Sequence, residues 1–205
     1  MIITKLKQGV KNPNRVNVFV DGKYSFSLDV AQVVDYKIKI GLEISDEDLA
    51  ELKKASEFGK LYQRTLEWVL VRPRSEKETR DYLYKKLRMS SSGRPSEDNS
   101  EFSRDIISRL ITRGYLNDEK FAEWYVENRF VKKGISKRRL KMELMKKGIK
   151  NDIVERVIDL RNDEDEIRKI IEKKRNKYDD EKLINYLFRQ GFDYQLARNL
   201  VLEKD

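Results

Sequence analysis

Leu140-Lys141-Met142-Glu143-Leu144-Met145-Lys146-Lys147-Gly148-Ile149 is the stretch on which the fold turns. Two leucines four residues apart lie on one helix face. Gly148 follows as a residue able to adopt the left-handed conformation that ends a helix, with apolar Ile149 behind it. Shifting the chain by 43 residues repeats the pattern: Leu140 falls on Leu183, Leu144 on Leu187, Gly148 on Gly191 and Ile149 on Phe192. The match continues through Ile153 on Leu196, Val157 on Leu200 and Ile158 on Val201. A fixed period of this length is the signature of stacked helical units.

Upstream, Phe121, Trp124 and Tyr125 correspond to Ile167, Ile170 and Ile171 with an extra offset of three residues. Each unit therefore reads as three helices in about 40 to 45 residues, although a HEAT-like helix pair has a similar period. A degraded earlier copy places Trp68, Ser75, Thr79 and Leu83 against Tyr125, Ser136, Leu140 and Leu144. The expected fold is mainly α: tandem three-helix repeats in an elongated, curved array, with a small N-terminal β-hairpin or sheet. The expected domains are an N-terminal extension over 1–55 and repeats over 56–117, 118–162 and 163–205. Residues 89–103, serine-rich and without periodic apolar positions, read as a mobile loop.

The N-terminal region has a different period. Val16 to Val20 and Lys23 to Leu28 alternate on either side of Asp21-Gly22, which predicts a hairpin with a two-residue turn, and Ile2 to Leu6 predicts a third strand. Val30, Val33 and Val34 then take helical spacing, and Ser45-Asp46-Glu47-Asp48 carries a capping-box signature. Tyr24 and Phe26 are expected to share one strand face covered by a helix.

Composition excludes several chemistries. The 205 residues contain no cysteine and no histidine, so thiolate nucleophiles, disulfides, histidine triads and histidine-bound zinc are all ruled out. Neither GxxxxGK[ST] nor GxGxxG occurs. No catalytic residue, cofactor or metal is expected. Charged residues make up 40%, as suits long solvent-facing helices, and neither a signal sequence nor a membrane-spanning run is legible, so a cytoplasmic chain is expected.

The charge is segregated. Arg129, Lys132, Lys133, Lys137, Arg138, Arg139, Lys141, Lys146, Lys147 and Lys150 face a single acid, Glu143, an excess equal to the whole chain's +9. These ten cations are the candidate partner or nucleic-acid site. On a helical wheel Leu140 and Leu144 point inward, with Arg138 and Lys141 on one flank and Arg139 and Lys146 on the other. Phe121, Trp124, Tyr125 and Trp68 follow helical spacing and read as core rather than as base-stacking platforms.

The chain also resembles the RecX family. Val71-Arg72-Pro73-Arg74-Ser75-Glu76-Lys77-Glu78, then Gly114-Tyr115-Leu116-Asn117-Asp118-Glu119-Lys120-Phe121-Ala122, then Arg138-Arg139-Leu140 with Glu143-Leu144 and Lys147-Gly148-Ile149 look like its successive signatures over roughly residues 60–160. The first unit departs from the pattern, with the serine-rich loop in place of a Lys-Gly-aromatic turn. Relatives with such an N-terminal extension often continue beyond the position of Asp205 into a further unit. The resemblance implies a non-enzymatic regulator that binds RecA filaments on single-stranded DNA and suppresses ATP hydrolysis, strand exchange and coprotease activity. It implies a role in DNA repair and the SOS response, with single-stranded DNA met directly or through the filament, and a monomer is expected. The alternative is a free-standing nucleic-acid-binding helical protein acting through phosphate contacts alone. An enzyme built on carboxylates and a metal would need acids converging in a pocket.

Overall fold

A computed structural model describes residues 1–10, 12–90, 97–130 and 133–203. The chain divides into two units, Met1–Trp68 and Val69–Asp205. In the first, strands β1 (Ile3–Gln8), β2 (Arg15–Val20) and β3 (Lys23–Asp29) form an antiparallel sheet in the order β1-β2-β3. Asp21 and Gly22 both have positive φ, 45° and 78°, as the tight hairpin turn that matches strand twist requires.

The pairing of β2 with β3 passes from Val18↔Phe26 to Phe19↔Tyr24, so Ser25 is an extra, unpaired residue. That one-residue bulge reverses the side-chain alternation. Tyr24 is consequently 54% exposed, edge-on to Phe19, whereas Phe26 is 2% exposed. The expectation that they share a face is corrected by the bulge.

Helix α1 (Val30–Asp35) starts with a reciprocal cap between Asp29 and Gln32. Helix α2 (Asp46–Leu70) starts with the capping box read from Ser45 and Asp48: Asp48 N donates to Ser45 Oγ at 3.0 Å and Ser45 N to Asp48 Oδ2 at 2.8 Å. Residue 55 lies inside α2. Ile3, Val18, Phe26 and Leu28 of the sheet share a core with Leu52 of α2. Buried Ser56 donates to the Ser27 carbonyl at 2.6 Å, and Arg15 donates to both Ser27 and Ser56, so the polar groups under the sheet are satisfied.

The second unit continues with α3 (Glu76–Ser90), α4 (Glu97–Thr112), α5 (Asp118–Asn128), α6 (Lys137–Lys146) and α7 (Asn151–Ile158). It ends with α8 (Asp163–Lys174), α9 (Asp180–Arg189) and α10 (Tyr194–Leu202). Helices α3 and α4 reach into the segment read as loop, from Met89 to Ser90 and from Glu97 to Ser103. The Phe102, Ile106 and Leu110 stripe begins within it, and the polar turns ahead of that stripe carry no apolar period to read. Residues 91–96 lie outside the described residues.

Each later repeat has its own core of three helices. Phe121, Ala122, Leu140, Leu144, Val154 and Val157 are buried together from α5, α6 and α7. Ile167, Ile171, Leu183, Leu187, Ala197 and Val201 are buried together from α8, α9 and α10. Helices α6 and α9 end identically. Gly148 and Gly191 have φ of 83° and 92°, while Ile149 N and Phe192 N reach back to Leu144 O and Leu187 O at 3.1 and 3.3 Å. This double-bonded glycine terminus is the feature the 43-residue shift detects.

One serine joins each repeat to the next. Ser136 caps α6 by accepting from Arg139 N at 3.3 Å, and its hydroxyl donates to the Gln190 carbonyl at the end of α9, 2.7 Å away. Ser75 does the same one repeat earlier, accepting from Glu78 N at 3.1 Å and donating to Lys147 O at 2.8 Å. The next backbone N–H in each helix is also taken across the joint: Glu76 N donates to Asp118 Oδ1 and Lys137 N to Asp163 Oδ1, both at 2.8 Å. Burial raises both aspartates above the usual carboxylate range, although the donated hydrogen bonds oppose it. A Cβ at Gly191 would sit 2.9 Å from Ser136 Oγ, so the close approach requires glycine.

A buried ion pair strengthens the second joint. Arg161 donates to the carbonyls of Val126, Glu127 and Arg129 at the end of α5 and to Glu166 of α8 at 2.6 Å. Glu166 also accepts from Ile135 N at 3.0 Å and Lys169 Nζ at 2.7 Å. Burial pushes its carboxyl up, but the hydrogen bonds from Lys169, Arg161 and Ile135 outweigh burial and hold it below the usual range.

Two outcomes follow for stability. Ser136→Ala removes a cap and the bond across the joint and is expected to cost about 2 kcal/mol in urea denaturation. Asp179→Ala removes the α9 cap, by which Lys182 N is held at 2.8 Å, together with an exposed ion pair to Lys182 Nζ but no bond to another repeat, and is expected to cost about 1 kcal/mol. Equal losses would show that Ser136 is only a cap. Glu166→Gln strands the buried Arg161 charge, an expected loss of about 3–5 kcal/mol at neutral pH. Because the folded carboxyl titrates below its unfolded value of about 4.3, this stability is fully present above that pH and is lost as pH falls through the folded value. Thermal melts of the variant and the parent chain should therefore converge with acidification; a gap independent of pH would contradict the assignment.

Candidate functional site

Helix α6 begins with Lys137, Arg138 and Arg139 and has no acid in its first turn. Three cations at the positive end of a helix oppose its dipole. Asp163 of the next repeat compensates, placing a carboxylate on the first N–H of the helix. The local rule is broken in the sequence of α6 and repaired across the joint.

Among the described residues, folding pairs five of the ten candidate cations with acids. Glu143 is held by Arg129 Nε at 2.7 Å, Tyr125 Oη at 2.8 Å and Arg139 Nε at 3.4 Å. Burial raises the Glu143 carboxyl, but the bonds from Arg129 and Tyr125 outweigh it and leave Glu143 low. Burial and this carboxylate together push the Tyr125 hydroxyl up to about 12. Lys137 pairs with Asp159 at 2.7 Å, Lys141 with Glu155, and Lys147 with Glu78 at 2.5 Å. These last three acids come from other segments, so a charge count along the chain misses them.

Of the remaining five, Lys132 lies outside the described residues. Lys133, Arg138, Lys146 and Lys150 have no ion-pair partner among the described residues. Lys133 joins Arg129 and Arg139 around the Phe130 ring, at 5.8, 3.8 and 5.9 Å from its centroid. Phe130 itself has a positive φ of 49°, a strained conformation for a phenylalanine. Arg161 holds the adjoining Arg129 carbonyl at 2.9 Å.

Two adjoining grooves share Glu143 and Lys146. One is lined by Arg72, Trp124, Tyr125, Arg129 and Lys147; the Arg72 guanidinium lies 5.3 Å over the Trp124 ring. The other is lined by Arg138, Arg139, Met142, Phe188 and Arg189. Arg138 therefore lies in the same groove as Arg139 and Lys146, which corrects its assignment to the opposite flank with Lys141. Arg139 also donates to Gln190 Oε1 at 2.6 Å, because the joint brings the end of α9 against the start of α6. Of the aromatics read as core, Phe121 is buried, whereas Trp124 and Tyr125 are part-buried and line a groove.

Arg72, Arg189, Phe188 and Met142 stand outside the ten-cation candidate set. Arg72 and Arg189 lie beyond the basic run in sequence. Met142 falls off the Leu140 and Leu144 stripe on the same helix, a signal that a wheel drawn for apolar as well as basic residues carries. Among the described residues no group of three or more acids is placed to hold a metal ion, and no helix is long and apolar enough to cross a membrane.

Two family models match: the regulatory protein RecX N-terminal domain over residues 1–45 and the RecX second three-helix domain over residues 117–158. Among curated proteins, the chain is 31% identical over 214 residues to the regulatory protein RecX of Listeria monocytogenes serovar 1/2a, covering 99% of this chain and 76% of that one. It is 34% identical over 199 residues to that of Bacillus subtilis strain 168, covering 96% and 71%. Among solved structures, a regulatory protein RecX superposes with a TM-score of 0.73 at 20% identity, over 98% of this chain and 99% of the other. RecX from Lactobacillus salivarius superposes with a TM-score of 0.57 at 26% identity, over 72% and 96%. With both signature domains matched in place and relatives above 30% identity over nearly its whole length, the chain belongs to the RecX family of regulatory proteins.

Proposed function

We propose that this protein binds RecA filaments on single-stranded DNA and inhibits their ATP hydrolysis, strand exchange and coprotease activity, as a non-enzymatic, cytoplasmic, monomeric regulator. In this reading the repeats over 56–117, 118–162 and 163–205 form the binding array and residues 1–55 an extension to it. Family membership supports the reading. The observation that carries it to a surface is the groove between α6 and α9, where Arg138, Lys146 and Arg189 meet exposed Met142 and Phe188. Cations already satisfied within the fold, such as Lys137 and Lys141, have less to gain from a partner than these three.

The test is RecA ATP hydrolysis on single-stranded DNA with and without this protein. Inhibition is expected with no nucleotide turnover by the protein itself; no effect at saturation would contradict the reading. Reversing Arg138, Lys146 and Arg189 together to glutamate should abolish most of the inhibition with the helical circular-dichroism signal retained. Reversing Lys137 and Lys141 should do little to inhibition. Where phosphate is the contact, three lost cations flatten the log–log salt dependence by up to roughly two units, at about 0.7 for each neutralised phosphate on a single strand. Equal effects from both sets would return the charge to a solubilising role.

A further inference from the structure

The aromatic that most needs explaining is Phe188. Its neighbours in α9 divide by face: Leu183, Ile184 and Leu187 fill the third core, while Phe188 stands 55% exposed and belongs to no core cluster. Tyr194 of α10, 43% exposed, meets Phe188 edge-on with ring centroids 6.1 Å apart, and it too lies outside the core. A phenylalanine more than half exposed forgoes much of the gain from burying its ring, and its ring contact among the described residues is the edge-on one with Tyr194.

The surroundings are specific. Phe188 shares its groove with Arg138, Arg139, Lys146 and Arg189 and with Met142, 53% exposed. The one acid lining the groove among the described residues, Glu143, is already bound by Arg129, Tyr125 and Arg139. Arg138 and Lys146 have no ion-pair partner among the described residues, and among these residues Arg189 donates to the Asn185 carbonyl of its own helix, at 3.3 Å. Unpaired cations bordering an open aromatic ring and a thioether suit a ligand that is anionic along one edge and flat and apolar along the other. An acidic peptide supplies flat faces only where it carries aromatic side chains, whereas a single-stranded nucleic acid carries a flat base beside every phosphate.

We infer that the groove between α6 and α9 is a single-strand binding site in which Phe188 stacks a base while Arg138, Lys146 and Arg189 hold the flanking phosphates. The inference rests on the groove proposed above as the filament-binding surface and names what that groove contacts. Arg139 is restrained by Gln190 and Glu143 and serves as the groove wall. The site needs no sequence preference, because every base offers a flat face.

The experiment is fluorescence anisotropy on the full chain without RecA, using oligothymidylate and an abasic oligonucleotide of equal length. The parent chain should bind oligothymidylate more tightly, and Phe188→Ala should remove about five-fold to a hundred-fold of that affinity while leaving abasic binding unchanged. Phe188→Trp should restore the preference for bases. Because Phe188 is exposed, the variants should keep the parent's circular-dichroism signal and melting temperature. Equal affinity of the parent chain for the two oligonucleotides would overturn stacking, as would loss of both affinities together in Phe188→Ala. Displacement of the protein by polyglutamate but not by oligothymidylate would identify an acidic protein surface as the occupant instead. Failure to inhibit RecA with the base preference intact would refute the proposed function and leave this site standing.

Discussion

The hydrogen bond from the Ser136 hydroxyl to the Gln190 carbonyl is the constraint on which the later repeats depend. The same oxygen caps α6 by accepting from Arg139 N, so one side chain both starts a helix and ties it to the end of another. Gly191 permits the approach by having no Cβ, and Asp163 takes the neighbouring N–H. The Ser75, Lys147 and Asp118 set repeats the arrangement one unit earlier. What recurs along the chain is therefore a joint as well as a core, and it is the joint that brings α9 against α6 to form the groove.

Charge is redistributed by the same packing. Residues 129–150 carry the whole net charge of the chain, yet Asp159, Glu155 and Glu78 neutralise Lys137, Lys141 and Lys147 from outside that run. The cations at the groove without an ion pair among the described residues, Arg138, Lys146 and Arg189, come from two repeats. A surface ion pair is worth little to stability, but each acid offsets the field of the cation it meets.

The repeat is legible in the sequence because core positions and glycine termini obey local periodicities: Leu140, Leu144 and Gly148 announce themselves in one stretch. The hairpin at Asp21-Gly22 and the capping box at Ser45 are legible for the same reason. The bulge at Ser25 is not, because one unpaired residue leaves no mark on alternation until the register is known. Nor is the Arg161–Glu166 pair, whose members lie close in sequence but act by holding the end of α5 and Ile135 N. At the site, the basic run points to α6, whereas Phe188 and Arg189 carry no such mark, because nothing in the sequence says that α9 ends beside α6.

The central claim, that this joint-built groove is where the protein meets its partner, is tested most directly by hydrogen–deuterium exchange of the protein with and without RecA assembled on single-stranded DNA. The account predicts added protection in α6 and the last turn of α9, with α7 and α10 unchanged. Protection confined to α7, α10 or the N-terminal sheet, with α6 and α9 exchanging as in the free protein, would contradict it.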